Sequence, residues 1–418
     1  MPEYDLESRR ATFPLGASVG IAELAADPHP ALRRLRECEP VSWLPALGGW
    51  LVTRADLAES VLRDARMFTV DDPRFTTARV VGPSMLSLDG DAHRRHRDPF
   101  ARALRAAPTR ARLADAAVGH AARLVAELAG RGGSAELRRG LAGPLAVAVM
   151  AEMLGLDVAF GQLLAWYDAI VAGVSSLAEA DQTTGRDASA ATDLRAVTTV
   201  QPAADVSPTA AAAFAELSAC VRTALGRHNE QSVLTAAADG LTVDEIVSNA
   251  AVLLFGGIET TEGMICNAIW YLLGDESARD QVLADPGLAE AAVEEALRLE
   301  PAAAVVDRYA TADISLGAAP VRRGDLVTVS LAGANRDPAA FPHPDRFDIH
   351  RPNGRQHLAF AIGPHFCIGA QLARLEAHAA LTAVLDQLPG VRLDPGRPSA
   401  PRGLVFRKPP SLHVRWDA

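Results

Sequence analysis

Residues 357–376 read HLAFAIGPHFCIGAQLARLE, and Cys367 stands in the middle of them. Gly363, Pro364 and Gly369 bracket it, so the chain forms a tight loop whose backbone can approach a flat ligand and turn amides toward a sulfur. Beyond the loop, Leu381, Val384, Leu385 and Leu388 recur at i, i+3, i+4 and i+7. That spacing predicts a helix, stopped by Pro389 and Gly390. A cysteine just ahead of a helix N-terminus sits in positive potential, which favours thiolate over thiol. Thiolate is one of the axial ligands by which proteins hold haem iron, and it pushes electron density that favours O–O cleavage. A lone cysteine is more often structural, but here Phe360, Gly363, His365 and Gly369 frame it. Cys38, Cys220 and Cys266 have no such frame and are read as structural.

Upstream, Thr242 and Glu245 have the spacing of a capping box. An apolar run follows from Ile246 to Ile258 and continues to about Leu273. It predicts a helix roughly 45 Å long, apolar nearly all round and therefore crossing the interior. Its middle reads Gly256, Gly257, Ile258, Glu259, Thr260, Thr261. Two glycines inside a helix cost about 1 kcal/mol each relative to alanine, and close approach of a flat ligand would compensate. An acid and two hydroxyls in an apolar helix need partners, and a Thr hydroxyl can bond a carbonyl one turn back and open a groove. Taken alone, helix packing accounts for these residues equally well. Glu295 and Arg298, at i and i+3, share a helix face. The turn-rich stretches at 335–338 and 341–347 read as ordinary loop when taken alone.

Around these motifs, residues 41–53 form a predicted hairpin about Gly48 and Gly49. Residues 55–300 are mostly helical in pattern, while 302–330 and 391–416 alternate like short strands. The class is mainly α with minor β, read as one domain over 1–418. Residues 173–215, rich in Ala, Ser and Thr, read either as a mobile surface segment or as a functional lid. With 49% hydrophobic and 22% charged residues, the 418-residue chain can enclose a large core and a buried cofactor. A net charge of -10 disfavours wholesale nucleic-acid binding. Four scattered cysteines, without a Cys-x-x-Cys pair, argue against zinc or a disulfide framework and suit a reducing cytosol. No signal peptide or spanning segment is read, so the expected location is cytoplasmic.

Taken together, in this order and spacing, the motifs resemble the cytochrome P-450 family. Phe360, Gly363, His365, Cys367 and Gly369 match its cysteine-loop pattern, and residues 256–261 match its (Ala/Gly)-Gly-x-(Asp/Glu)-Thr-Thr pattern. Glu295 and Arg298 match its Glu-x-x-Arg. Ala361 stands where Gly is common, and Ile258 where a polar residue is frequent. The second departure would make the distal pocket drier.

The resemblance implies the cytochrome P-450 fold, with haem b (iron protoporphyrin IX) between the long central helix and the loop of its ligand Cys367. It implies an oxygen-using monooxygenase, in which Glu259 and Thr260 bring protons to dioxygen and Gly256 gives the cofactor room. His93, Arg97, Arg308 and His365 fall at propionate-binding positions. Arg346 falls where the family completes a buried cluster with Glu295 and Arg298. The pocket for a small, mainly apolar substrate would draw on Val81, Leu86, Val252, Phe255, Ala304, Val305, Val306 and Val405. Electrons would come from a ferredoxin or flavodoxin with an NAD(P)H-dependent reductase. Seven arginines between 94 and 112 against Asp98 alone would steer such an acidic partner, or form an ordinary solvated face. A peroxygenase or a gas-reducing haem-thiolate enzyme fed directly by NAD(P)H, or else a haem-thiolate sensor without turnover, is the rival reading. The Glu259–Thr260 pair weighs against the first, because peroxide already carries its protons, and would have no obvious task in the second.

Overall fold

The computed structural model describes residues 3–184, 206–227 and 232–417. Helices dominate among them. The strands are β1 (Val41–Leu44), β2 (Gly49–Val52), β3 (Phe68–Thr69), β4 (Ser134–Glu136), β5 (Val305–Ala310), β6 (Ile314–Leu316), β7 (Ala319–Val321), β8 (Leu326–Ser330), β9 (Arg392–Leu393) and β10 (His413–Arg415). The chain divides into two compact units. One holds Met1–Thr69, Ala121–Ala142 and Thr260–Ala418; the other holds Val70–His120 and Gly143–Glu259.

The first unit is built on a sheet in the order β1-β2-β8-β5-β3. Its hairpin falls where the sequence puts it: β1 and β2 pair antiparallel with Trp43 opposite Trp50. Gly48, at φ +63°, takes the left-handed conformation the turn needs. Strand alternation sorts the side chains onto two faces. Trp43, Trp50, Val52, Val327 and Val329 join one apolar cluster with Ala58, Val61 and Leu62. Leu44, Leu51, Ala304 and Ala332 join another. β5 runs antiparallel to β8 with Arg308 opposite Val327, which places Arg308 on the first of these faces. The short strands expected near the C-terminus are β9 and β10, in a three-stranded sheet with β4.

The second unit is helical. Its Phe160–Thr184 and Pro208–Gly226 helices lie close together. A Cβ on Gly173 would stand 2.6 Å from that of Ala210, and Trp166 Nε1 donates to Glu216 at 2.7 Å. Residues 173–184 and 208–215 therefore lie on helices, which meet at Gly173 and Ala210. Their alanines favour helix, and Ser207 caps the second helix by accepting from the Ala210 amide. The rest of the segment, 185–205, lies outside the described residues.

The long helix spans Val243–Gly274. Its capping box forms as expected: Thr242 Oγ1 accepts from the Glu245 amide at 3.3 Å, and the Thr242 amide donates to Glu245 Oε2 at 2.9 Å. Among the described residues, no helix is long and apolar enough to cross a membrane.

Candidate active site

In the first unit, the residues around Cys367 form a loop closed on itself. The Cys367 amide donates to the Phe360 carbonyl at 2.9 Å, and Gly363 to His365 make one 3-10 turn. Gly363 has φ +78°, and a Cβ there would lie 2.6 Å from the Leu62 carbonyl oxygen, so only glycine fits. Ala361, at φ +54°, is also left-handed. That is the physical reason for a glycine preference at this position, and alanine tolerates it at some strain. Three residues past Cys367 the Ala370–Gln387 helix begins, and Leu381, Val384 and Leu388 are all fully buried. The sulfur is half-buried at the positive end of that helix.

Two ionic clusters in the same unit support this loop. In the first, Arg298 is wholly buried and grips Glu295 with two bonds, at 2.8 and 2.7 Å. The second guanidinium on Glu295 belongs to Arg351, at 3.0 and 3.1 Å. Arg346 enters only through its carbonyl, which accepts from Arg298 and Arg351. The sequence-based choice of Arg346 is thus corrected to Arg351. The 342–346 turn points its carbonyls inward, leaving the Arg346 side chain exposed. The 335–338 stretch is no ordinary loop either: Asn335 Oδ1 accepts from the Leu358 amide and Asp337 from the Ala55 amide.

Sequence reasoning missed the second cluster. Glu294 accepts from Arg374 at 2.5 and 3.1 Å and pairs with His357 at 3.0 Å. The Arg374 guanidinium also lies 4.4 Å above the Phe360 ring. Burial works against the Glu294 charge, but the hydrogen bonds from His357 and Arg374 prevail and hold its carboxyl at about 2. A depressed carboxyl stabilises the fold above its ordinary value of 4.5, and that stabilisation fades as pH falls toward 2. Of the stability that urea unfolding loses over that window, about 3 kcal/mol is expected to come from Glu294. The difference between wild type and Glu294→Gln should shrink in step, and a constant difference would remove Glu294 as the source.

Arg308 is buried on β5, its guanidinium donating to the Asp307 carbonyl at 2.7 Å. His365 is half-buried at the end of its turn. In the other unit, His93 and Arg97 lie one turn apart on the Gly90–Arg105 helix. His93 is buried and Arg97 half-buried, whereas Arg94, Arg95 and Asp98 face outward. Of the arginine stripe, Arg94 pairs with Asp91, Arg95 with Glu245 and Arg112 with Glu152. Arg102, Arg105 and Arg110 are exposed.

The long helix is buried over 246–254 and 261–269, but between them it opens. Gly256 is exposed, and Phe255, Gly257, Glu259 and Thr260 are half-buried. A Cβ on Gly256 would meet nothing within 4 Å, whereas one on Gly257 would strike the Met150 sulfur at 2.4 Å. Each glycine thus has its own reason: open space at the first, close helix packing at the second. Ile258 is 1% exposed and faces away from this opening, so it does not dry the pocket as expected. Among the expected lining residues, Val81 (1%) and Ala304 (2%) offer no surface to a ligand. Val81 is enclosed in its packed helix, and Ala304 is tied by its amide to the Val405 carbonyl. Leu86, Phe255, Val305 and Val306 are half-buried, Val252 is buried with slight exposure, and Val405 is exposed. Asn249, also missed, accepts from the Met85 amide at 2.8 Å and so fixes the segment that carries Leu86.

These residues fit a haem. A half-buried thiol at a helix N-terminus is a ligand of the required chemistry. The exposed Gly256 window gives a flat group room in an otherwise closed helix, and a buried guanidinium such as Arg308 suits a carboxylate.

The sequence profile described as Cytochrome P450 matches residues 227–391. Mycinamicin IV hydroxylase/epoxidase of Micromonospora griseorubida is 34% identical, covering 91% of this chain and 94% of its own. Cytochrome P450 monooxygenase PikC of Streptomyces venezuelae is also 34% identical, covering 94% of this chain and 92% of its own. The structure of cytochrome P450 CYP109Q5 from Chondromyces apiculatus superposes with a TM-score of 0.81 at 28% identity, covering 96% and 99% of the two chains. With relatives matched over nearly their whole length and a loop built to present Cys367, the chain belongs to the cytochrome P450 family, as a monooxygenase that works with haem, a redox partner and a small-molecule substrate.

Proposed function

We propose that the chain binds haem b through Cys367 and oxidises a small, mainly apolar specialised metabolite by hydroxylation or epoxidation. The observation that carries this is the opening of the long helix at residues 255–260, where Gly256 gives room and the Glu259–Thr260 pair follows. Bound haem supplies a redox-active iron that activates dioxygen with two electrons. The protein does the rest. Phe360, Gly363 and Gly369 shape the loop that presents the sulfur. His93, Arg97, Arg308 and His365 would hold the propionates. Leu86, Val252, Phe255, Val305, Val306 and Val405 exclude water from the substrate. Thr260 holds a proton at its hydroxyl, and Glu259, one residue before it, resupplies that proton; such transfer needs hydrogen-bond reach, directly or through water. A ferredoxin or flavodoxin with its NAD(P)H-dependent reductase suits the exposed Arg102, Arg105 and Arg110, because cationic side chains steer an acidic donor. The relative named as a hydroxylase/epoxidase of mycinamicin IV supports the reaction type.

Thr260→Ala tests the reading. The variant is expected to load haem normally, while the share of NAD(P)H electrons reaching product falls about tenfold and peroxide rises. Ethoxycoumarin serves as an apolar surrogate substrate. Unchanged coupling would remove Thr260 from the proton path.

A further inference from the structure

We propose that Tyr167 is a positioning residue of the proton path, holding the Glu259 carboxylate through its phenol. The inference rests on the role given to Glu259 above. Tyr167 stands on the Phe160–Thr184 helix, is 7% exposed, and donates its hydroxyl hydrogen bond to Glu259 Oε2.

The helix geometry explains why the acid turns that way. Successive residues rotate by about 100°. Gly256 and Thr260, four apart, therefore share one side of the helix. Gly257 lies to one flank of that side, where it packs on Met150. Glu259 lies to the opposite flank, where Tyr167 meets it. The carboxylate is thus held beside the open window and not in it. A glutamate side chain loses considerable rotamer freedom when fixed, and the phenol fixes it. Tyrosine is also a neutral donor, so it orients the acid without adding a charge that would lock a proton off it. Arginine or lysine in its place would form an ion pair, and phenylalanine would remove the phenol's hold on the carboxylate.

The test compares Tyr167→Phe, Glu259→Gln and the double variant in the haem-loaded enzyme. The first readout is infrared: the carboxyl band lost in Glu259→Gln belongs to Glu259, and it should shift in Tyr167→Phe. The second is the share of NAD(P)H electrons reaching product from ethoxycoumarin, followed across pH. Tyr167→Phe is expected to lower that share roughly three- to tenfold and to move its pH profile. The reduced carbon monoxide spectrum and the ethoxycoumarin-induced spin shift should stay as in wild type. The double variant should do no worse than Glu259→Gln, because a residue acting through another adds nothing once that other is gone. An unshifted band, additive losses, or full coupling in Tyr167→Phe beside a damaged Glu259→Gln overturns the proposal alone. Full coupling in Glu259→Gln overturns the role of the acid, and the role of Tyr167 with it.

Discussion

In Cys367→Ala, the dithionite-reduced protein under carbon monoxide is expected to lose the strongly red-shifted Soret band of a thiolate opposite the gas, and turnover should fall below detection. The loss is one of electronics and not of folding. Backbone contacts shape the loop: the Cys367 amide on the Phe360 carbonyl, and Gly363 pressed against Leu62. None of these needs the sulfur. The side chain is half-buried, so its removal should change stability by less than about 1 kcal/mol. A thermal melt of the haem-free variant should therefore match that of haem-free wild type, while the spectrum and activity of the reconstituted proteins differ. Cys38 stands exposed at the end of the His29–Cys38 helix, outside any such loop. Burial pushes the Cys266 thiol well up and the Cys220 thiol up as well, which disfavours the thiolate in both. A persistent red-shifted band would mean that the iron is held elsewhere.

What could be read from the sequence followed the range of the interactions. The capping box, the hairpin around Gly48 and the helix after Cys367 depend on neighbours a few residues away. Each forms where its spacing predicts. Glu295 and Arg298 were legible for the same reason, lying one turn apart. The third member of their cluster was not. Arg346 and Arg351 both end a turn-rich stretch, and only the path of that turn decides which side chain enters. Glu294 is adjacent to Glu295, yet its partners lie 63 and 80 residues away. Tyr167 meets Glu259 across 92 residues. Such pairs leave no periodic trace, because nothing in local spacing requires them. The 173–215 segment was hard to read for another reason. Small residues lower hydrophobic contrast, so its helical flanks, 173–184 and 208–215, left no clear periodic signal, although alanine favours helix.

Arg298→Met is expected to cost about 3–5 kcal/mol and to leave most of the purified chain without haem. Arg298 is wholly buried, and besides its two bonds to Glu295 it donates to the carbonyls of Asn335, Pro344 and Arg346. Methionine fills similar volume but donates nothing. The carbonyls lose their donor in the interior, where each unmet polar group costs about 1–3 kcal/mol. Glu295 keeps Arg351 and the Asp348 amide, so its charge is partly met, and the total stays below a simple sum. The damage should reach the cofactor because the 335–346 backbone that Arg298 anchors also holds the Cys loop, through Asn335 on the Leu358 amide. Arg346→Met supplies the contrast. Its side chain is exposed and only its carbonyl joins the cluster, so the change should stay within about 0.5 kcal/mol. Urea melts read the stabilities, and the ratio of haem to protein absorbance reads the loading. Equal losses in the two variants would restore Arg346 to the cluster and contradict the geometry. A stable, haem-loaded Arg298→Met would mean that the loop is held by Glu294, His357 and Arg374 alone.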